Sequence, residues 1–499
     1  MSRLVRTTSL HAERPSPSPQ PGERPGRPEF TPAAPSEDVP ARAAWILLAA
    51  VLVASLTIRW ALLGERWVNP DEGAHLMDAW LVLNGYVPGV DIATRQPLYV
   101  YGLAATLDIF GATLYAGRLL PVACSVLTGV MIYLLGSALA DRRIGLLASC
   151  LYLLLPLEIL QSTAVKTEAP VTLLVVSSLY AAVAGERHQR GSLLVVSGIV
   201  AAAGYYVRET ALLVPVVVTI FLVAARGWRA VLRPLALFAS GYAAMVLVVL
   251  ALFAPFLSPE DFWQFSPISF VADILARLGS HLLALRAGTL VPTEPLPGNP
   301  GVSAEQSWQG YGEPTALYLA YLRDAVMLHG FLFVGLALAV WYVWQRQQGK
   351  DRDSLRQDRT TIVTLSAWLT ILGAMYLYRY LARGFFIDYF REFLPPLVLS
   401  FAIGLCRAAP ALRDGRNIVR LLALALSLGA VWFLLQARFP DQFGIGHHAT
   451  LASALLALLV VAFSGRLRRA TCLRYVALLA ALAVWVMVSR LISSSLFGG

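Results

Sequence analysis

Charge is scarce in this sequence. Asp, Glu, Lys and Arg together make up 14% of the 499 residues, against about 25% in ordinary globular chains, and 57% of the residues are hydrophobic. A chain of mean hydropathy +0.64 has too little polar surface for a set of soluble domains, which excludes that class. Cysteine is nearly missing as well: Cys124, Cys150 and Cys406 lie inside apolar runs and Cys472 at the edge of one. There is no CxxC and no Cys/His ligand spacing, so neither a disulfide framework nor a cysteine-based metal site is expected. No internal repeat is visible. No secretory signal precedes the first long apolar run, 44–63, and no small-residue cleavage site follows it, so that run reads as a retained helix.

Long apolar runs are what the chain has in abundance. Stretches of about 17 to 25 residues recur, each long enough as a helix to cross a hydrocarbon core of roughly 30 Å. The expected fold class is an all-α polytopic membrane protein with about thirteen spans. They fall near 44–63, 117–139, 144–162, 168–184, 191–206, 209–225, 234–257, 325–344, 361–378, 386–406, 419–436, 450–464 and 474–494. Residues 1–43 are rich in Pro, Arg and Ser; they bury too little apolar surface to fold and read as a disordered cytosolic tail ahead of one membrane domain, 44–499.

The formal charge of +10 and pI near 9.6 are not those of a nucleic-acid binder, because the arginines sit in short loops between apolar runs. "DRR", "GERHQR", "ARGWRAVLR", "QRQQGKDRDSLRQDR", "CRAAPALRDGRNIVR" and "GRLRRATCLR" all fall on the side of the tail, as the positive-inside rule requires. The opposite, outward side then receives two large segments, 64–116 and 258–323. In the first, Leu76, Met77, Trp80, Leu81 and Leu83 follow helical spacing from Asp71 to Asn84, an amphipathic helix lying at the interface. "PLYVYGLAATLDIF", 97–110, is short for a span and reads as a second interfacial helix. In the second segment, "TEPLPGNPGVSAEQSWQGYGEP" reads either as a loop over an acceptor or as an irregular connection.

Ionisable residues recur at the outward helix ends. Asp71 and Glu72 follow Asn69-Pro70, Arg95 lies in "TRQPLY", Arg118 in "YAGRLLP", Lys166 and Glu168 in "AVKTEAP", Arg208 and Glu209 in "YYVRET", and Arg391 in "YFREFLP". Each has a bland account. Asp71 and Glu72 suit the first turn of a helix begun by proline, and single Arg or Lys residues near helix ends snorkel to the interface. Taken together, acids and bases at several outward turns fit a polar cavity that holds an anion and removes a proton, because charge at a bilayer boundary costs energy unless paired or hydrated. Trp67, Tyr99, Tyr101, Tyr205, Tyr206 and Trp263 fit an interfacial aromatic belt; Tyr99, beside Arg95, is also a candidate substrate contact. His447 and His448 are read as interfacial residues rather than metal ligands.

The order of these elements resembles the GT-C superfamily of polytopic glycosyltransferases, in particular the protein O-mannosyltransferase-like branch that includes the lipid A aminoarabinose transferases. The resemblance runs through "PDEGAHL", "TRQPLYVYGL", "FGATLYAGRLLP", "VKTEAP", "YVRETALLVP", "SPEDFWQF" and "REFLPP", from about residue 44 to about residue 400. This chain has Arg95 where relatives often have lysine, Arg208-Glu209 where Lys-Gly is common, and Ala169 between Glu168 and Pro170. The resemblance implies an inverting enzyme that moves a sugar from a polyprenyl phosphate to a lipid, glycan or protein acceptor on the outer face. It implies no nucleotide and usually no required metal, with a divalent metal left open but not indicated by the residues, and a bacterial inner membrane with the amino terminus in the cytosol. In that scheme Asp71 is the general base and Glu168 orients a cation or shares the acceptor hydroxyl. Arg95, Lys166, Arg208 and Arg391 face the phosphate, with Glu72 and Glu209 beside them. The competing expectations are a transporter or flippase of lipid-linked sugars, which places charge near the midplane of broken, repeated spans, and a non-catalytic scaffold.

Overall fold

The computed structural model describes residues 40–64, 70–92, 94, 96–258, 263, 265–272, 275–276, 332, 339–340, 342, 352–383 and 391–408. Among these, helices run as α1 (Ala41–Leu62), α2 (Pro70–Leu83), α3 (Pro97–Phe110), α4 (Leu114–Leu139), α5 (Arg142–Leu154), α6 (Pro156–Ser162), α7 (Glu168–Arg187) and α8 (Gly191–Tyr205). After a 3₁₀ turn at Glu209–Leu212 come α9 (Leu213–Arg226), α10 (Leu232–Phe253), α11 (Arg352–Arg383) and α12 (Leu394–Ala408). The expected spans at 419–436, 450–464 and 474–494, most of 325–344, the tail up to residue 39, the Gly/Pro-rich outward segment and His447-His448 lie outside the described residues.

Local chemistry fixes most of the boundaries. Thr113 caps α4 by accepting from the Ala116 amide at 3.2 Å, and Asp141 caps α5 from the Ile144 amide at 3.0 Å, each satisfying an amide that helix geometry leaves without a partner. Pro97 opens α3 at a position where its missing N–H costs nothing. The single span expected at 144–162 is two helices instead. Leu155 is extended at φ −62° and ψ 130°, as a residue before proline prefers, and Pro156 restarts the chain as α6. Among the described residues, five helical stretches are long and apolar enough to cross a membrane: Ala41–Leu62, Leu114–Leu139, Glu168–Arg187, Glu209–Arg226 and Leu232–Phe253. With 14 residues each, α2 and α3 are about 21 Å long at 1.5 Å per residue, short of a span.

The helices pack through small residues and shared hydroxyls, as apolar helices do where lipid competes equally for their leucines. Ser178 of α7 and Ser197 of α8 each donate to the other's carbonyl, at 2.7 and 2.8 Å, and Ser149 of α5 donates to the Gly129 carbonyl of α4 at 2.7 Å. Between α8 and α10 the backbones nearly touch: a Cβ on Gly198 would lie 2.0 Å from the Phe238 carbonyl oxygen, and one on Gly241 2.0 Å from that of Val195. Gly198→Val is therefore expected to pry α8 from α10 and destabilise the protein by about 1 to 3 kcal/mol. Thermal unfolding of detergent-purified protein checks this, and an unchanged Tm would contradict the close approach.

The two ends of the helix bundle differ in kind. At one end the arginine-rich connections meet: Arg187 donates to the carbonyls of Ser137 and Ala138 at 3.2 and 3.0 Å, Arg226 pairs with Glu186 at 2.6 Å, and Arg407 lies 3.5 Å from Asp141. At the other end lie α2, α3, the start of α4, the α6–α7 connection, the turn before α9 and residues 391–393. Large apolar side chains of α1 (Trp45, Ile46, Val53, Leu56) and α10 (Leu247, Val248, Leu252) stay exposed, as expected of surfaces facing lipid tails. The molecule is thus a multi-pass, all-α membrane protein.

Candidate active site

Three charged groupings occupy the end opposite the arginine-rich connections. The first fixes α2 in place. Glu72 is buried and takes both Nε and Nη2 of Arg118 at 3.2 and 2.9 Å, while the Val165 amide donates to the same carboxylate at 2.8 Å. One carboxylate therefore ties α2 to α4 and to the α6–α7 connection, with the strength of a bidentate, charge-assisted contact. Its neighbour behaves differently: the Asp71 side chain is 67% exposed, with Lys166 Nζ 3.6 Å from Oδ2. Adjacent positions on a helix point about 100° apart, so Glu72 faces the bundle and Asp71 faces outward.

The second grouping centres on Arg208, which caps the start of the 3₁₀ turn. Its Nη1 donates to Thr167 Oγ1 at 2.8 Å and to Glu168 Oε1 at 2.5 Å. Its Nε approaches Glu392 Oε1 as an ion pair at 3.2 Å without the alignment of a hydrogen bond. Glu168 Oε2 is buried with no hydrogen-bond partner. Glu209, next in the chain, accepts from Gln96 Nε2 at 3.3 Å, so the entry to α3 is held against this turn.

The third grouping is fully buried. Glu158, on the short helix α6, receives Nε and Nη2 of Arg391 at 2.7 and 2.6 Å and the Ser125 hydroxyl at 2.5 Å. Arg59 of α1 donates to Ser125 Oγ, Ser162 Oγ and the Leu153 carbonyl at 3.0, 2.7 and 3.0 Å. Two guanidiniums thus converge on one carboxylate, and Arg391 Nη1 has no hydrogen-bond partner. Because Arg391 and Glu392 are consecutive, this grouping is joined to the one around Arg208.

Of the residues singled out from sequence, Asp71, Lys166, Glu168, Arg208, Glu209 and Arg391 lie at this end, and Glu72 serves it by tying α2 down. Arg95 lies outside the described residues. The aromatic-belt expectation is corrected for Tyr99, Tyr205 and Tyr206, which are buried within the protein, whereas Tyr101 and Trp263 are exposed. Tyr99 turns inward because α3 packs on α2 and α4; its ring meets His75 edge-on at 5.0 Å between centroids.

Sequence reasoning missed Arg59, His75, Glu158 and Glu392. Lone charges inside apolar runs, in "TIRWAL" and "LPLEIL", are functional or structural markers by default. The spacing of His75 four residues after Asp71 places both on one helix face. Burial lowers the pKa of His75, working against the nearby carboxylates of Glu168, Asp78 and Asp71, and burial raises that of Asp78. Among the described residues no group of three His, Cys, Asp or Glu is arranged to hold a metal ion.

A bundle of membrane-length helices, with short helices and an acid–base cluster at one end, gives the chain a fold that resembles the GT-C membrane fold. Residues 94–258, about a third of the chain, match the dolichyl-phosphate-mannose-protein mannosyltransferase family model. ArnT from Cupriavidus metallidurans, bound to undecaprenyl phosphate, is similar in structure at TM-score 0.51 and 15% identity, covering 91% of this chain and 76% of that one. The Archaeoglobus fulgidus oligosaccharyltransferase tethered to an acceptor peptide matches at TM-score 0.50 and 15% identity, over 85% of this chain. The match spans 55% of the oligosaccharyltransferase, about half its length. No curated protein matches in sequence.

Proposed function

We propose that this chain transfers a sugar from a polyprenyl-phosphate donor to an acceptor hydroxyl on the outer face of a bacterial inner membrane, with inversion at the anomeric carbon. The observation that carries this reading is the contrast between Asp71 and its surroundings. One exposed carboxylate stands beside Lys166, next to the buried Glu168–Arg208–Glu392 cluster, at the end away from the arginine-rich loops.

Each part then has a chemical task. Asp71 takes the proton of the acceptor hydroxyl as its oxygen attacks the anomeric carbon. Lys166 and Arg208 stabilise the charge that gathers on the departing lipid phosphate, with Arg95 in "TRQPLY" and the unpartnered Nη1 of Arg391 as further donors. Glu168 fixes the Arg208 guanidinium through Oε1 and leaves Oε2 for an acceptor hydroxyl. Tyr99 and Glu209 hold the α3 side of the site, and Glu72 holds α2. With one attacking group and no covalent nucleophile, the configuration inverts. The amphipathic α2 keeps Met77, Trp80 and Leu83 exposed, which seats the site at headgroup depth.

Purified protein in detergent, given a polyprenyl-phosphate-linked sugar and a membrane extract of acceptors, is expected to release polyprenyl phosphate and label an acceptor, and to ignore nucleotide sugars. Movement of the intact donor across reconstituted vesicles without release of polyprenyl phosphate would instead establish a flippase.

A further inference from the structure

One ionisable side chain at the site has no task in that scheme. His75 follows Asp71 by four residues and precedes Asp78 by three, so α2 turns all three to one side. The imidazole is half-buried, with its ring edge-on to Tyr99 at 82° between planes; the Tyr99 hydroxyl has no hydrogen-bond partner. The charged groups that face it are Asp71 and Asp78 from its own helix, Glu168 from the first turn of α7 and Arg208 from the turn before α9. Lys166 reaches Asp71 from the α6–α7 connection.

We propose that His75 is a proton relay that empties Asp71 after each transfer. This rests on the function proposed above. In one turnover the acceptor oxygen bonds to the anomeric carbon, and the bond from that carbon to the phosphate oxygen breaks, its electron pair staying on the phosphate. The acceptor proton passes to Asp71, from there to the neutral imidazole of His75, and then to water. In reference peptides an imidazole is more basic than an aspartate carboxylate by about two to three pKa units, a margin that burial of His75 narrows, so the proton passes from Asp71 towards His75 along α2. Burial favours the neutral imidazole, the form able to accept.

The test is the pH dependence of sugar transfer by the full-length protein between about pH 5 and pH 8, for wild type, Asp71→Asn, His75→Gln and His75→Ala. The relay needs a neutral ring, and burial lowers the pKa, so the wild-type rate should fall on the acid side, below pH 6.5. His75→Gln should lose roughly tenfold to a hundredfold in rate together with that acid limb. His75→Ala should recover part of its rate when imidazole is added, which a packing role would not allow, and Asp71→Asn should not. A His75→Gln protein with wild-type rate and pH profile overturns the relay. So does loss in His75→Ala that imidazole leaves unrepaired, which assigns His75 to packing on Tyr99. If wild type transfers and Asp71→Asn does not, the proposed function stands whatever His75 does; a wild type that transfers no sugar overturns both.

Discussion

Asp71→Asn is expected to abolish measurable sugar transfer while the protein folds and stays in the membrane. A positioned general base contributes about 10²- to 10⁴-fold in rate, equivalent to roughly 3 to 5 kcal/mol of barrier, and asparagine keeps the shape while removing the basicity. Stability should hardly change. The Asp71 side chain is 67% exposed and its contact with Lys166 is 3.6 Å long, and exposed ion pairs of this kind contribute about 0 to 1 kcal/mol. Transfer of radiolabelled sugar from a polyprenyl-phosphate pool, measured in membranes at matched protein levels with Tm measured alongside, separates the two effects. Full activity in the variant would return Asp71 to the bland role of a helix-start residue and move the base to Glu168, whose Oε2 has no hydrogen-bond partner.

Glu158→Gln should do the reverse, unfolding the protein before any question of chemistry arises. Glu158 and Arg391 are both 0% exposed, and the same carboxylate reaches Arg59 through Ser125. Removing one partner of a buried pair costs about 3 to 5 kcal/mol, because the remaining charge stays desolvated and uncompensated; here two guanidiniums are stranded. The expected result is a marked fall in Tm and in monodisperse yield after detergent extraction. Arg391→Met combined with Glu158→Met should recover part of the loss, since the apolar pair removes the Arg391 charge and leaves Arg59 as the remaining buried guanidinium of the grouping. A double-mutant cycle over wild type, Glu158→Met, Arg391→Met and the double variant measures the coupling. A neutral single variant would mean that water or lipid headgroups already relieve the charges.

Much of the fold was legible because the signals were long and periodic. The spans at 44–63, 117–139, 168–184, 191–206, 209–225 and 234–257 correspond to α1, α4, α7, α8, α9 with its preceding turn, and α10, and the two short helices after α1 lie at 70–83 and 97–110. The break at Leu155-Pro156 was overlooked because hydropathy runs through it unchanged, although proline was there to signal it. The aromatic belt was misjudged at Tyr99, Tyr205 and Tyr206 for a related reason. An aromatic at a helix end has the same sequence signature whether it faces lipid or a neighbouring helix, and only packing distinguishes the two.

By itself the sequence determined that the chain lives in a membrane, which ends of its helices carry arginine and which carry mixed acids and bases, since hydropathy, length and charge are local quantities that act on each segment separately. Which charges pair was left to the tertiary structure. Asp71 and Glu72 are indistinguishable as text, yet the helix turns one outward to Lys166 and the other inward to Arg118. Glu158 and Arg391 are 233 residues apart, and no local pattern specifies a contact over that separation. The kink at Pro156, the packing of α6 against α1 and α4, and the turn that carries Arg391 bring them together, because a carboxylate and a guanidinium buried among apolar helices are stable only when each finds the other.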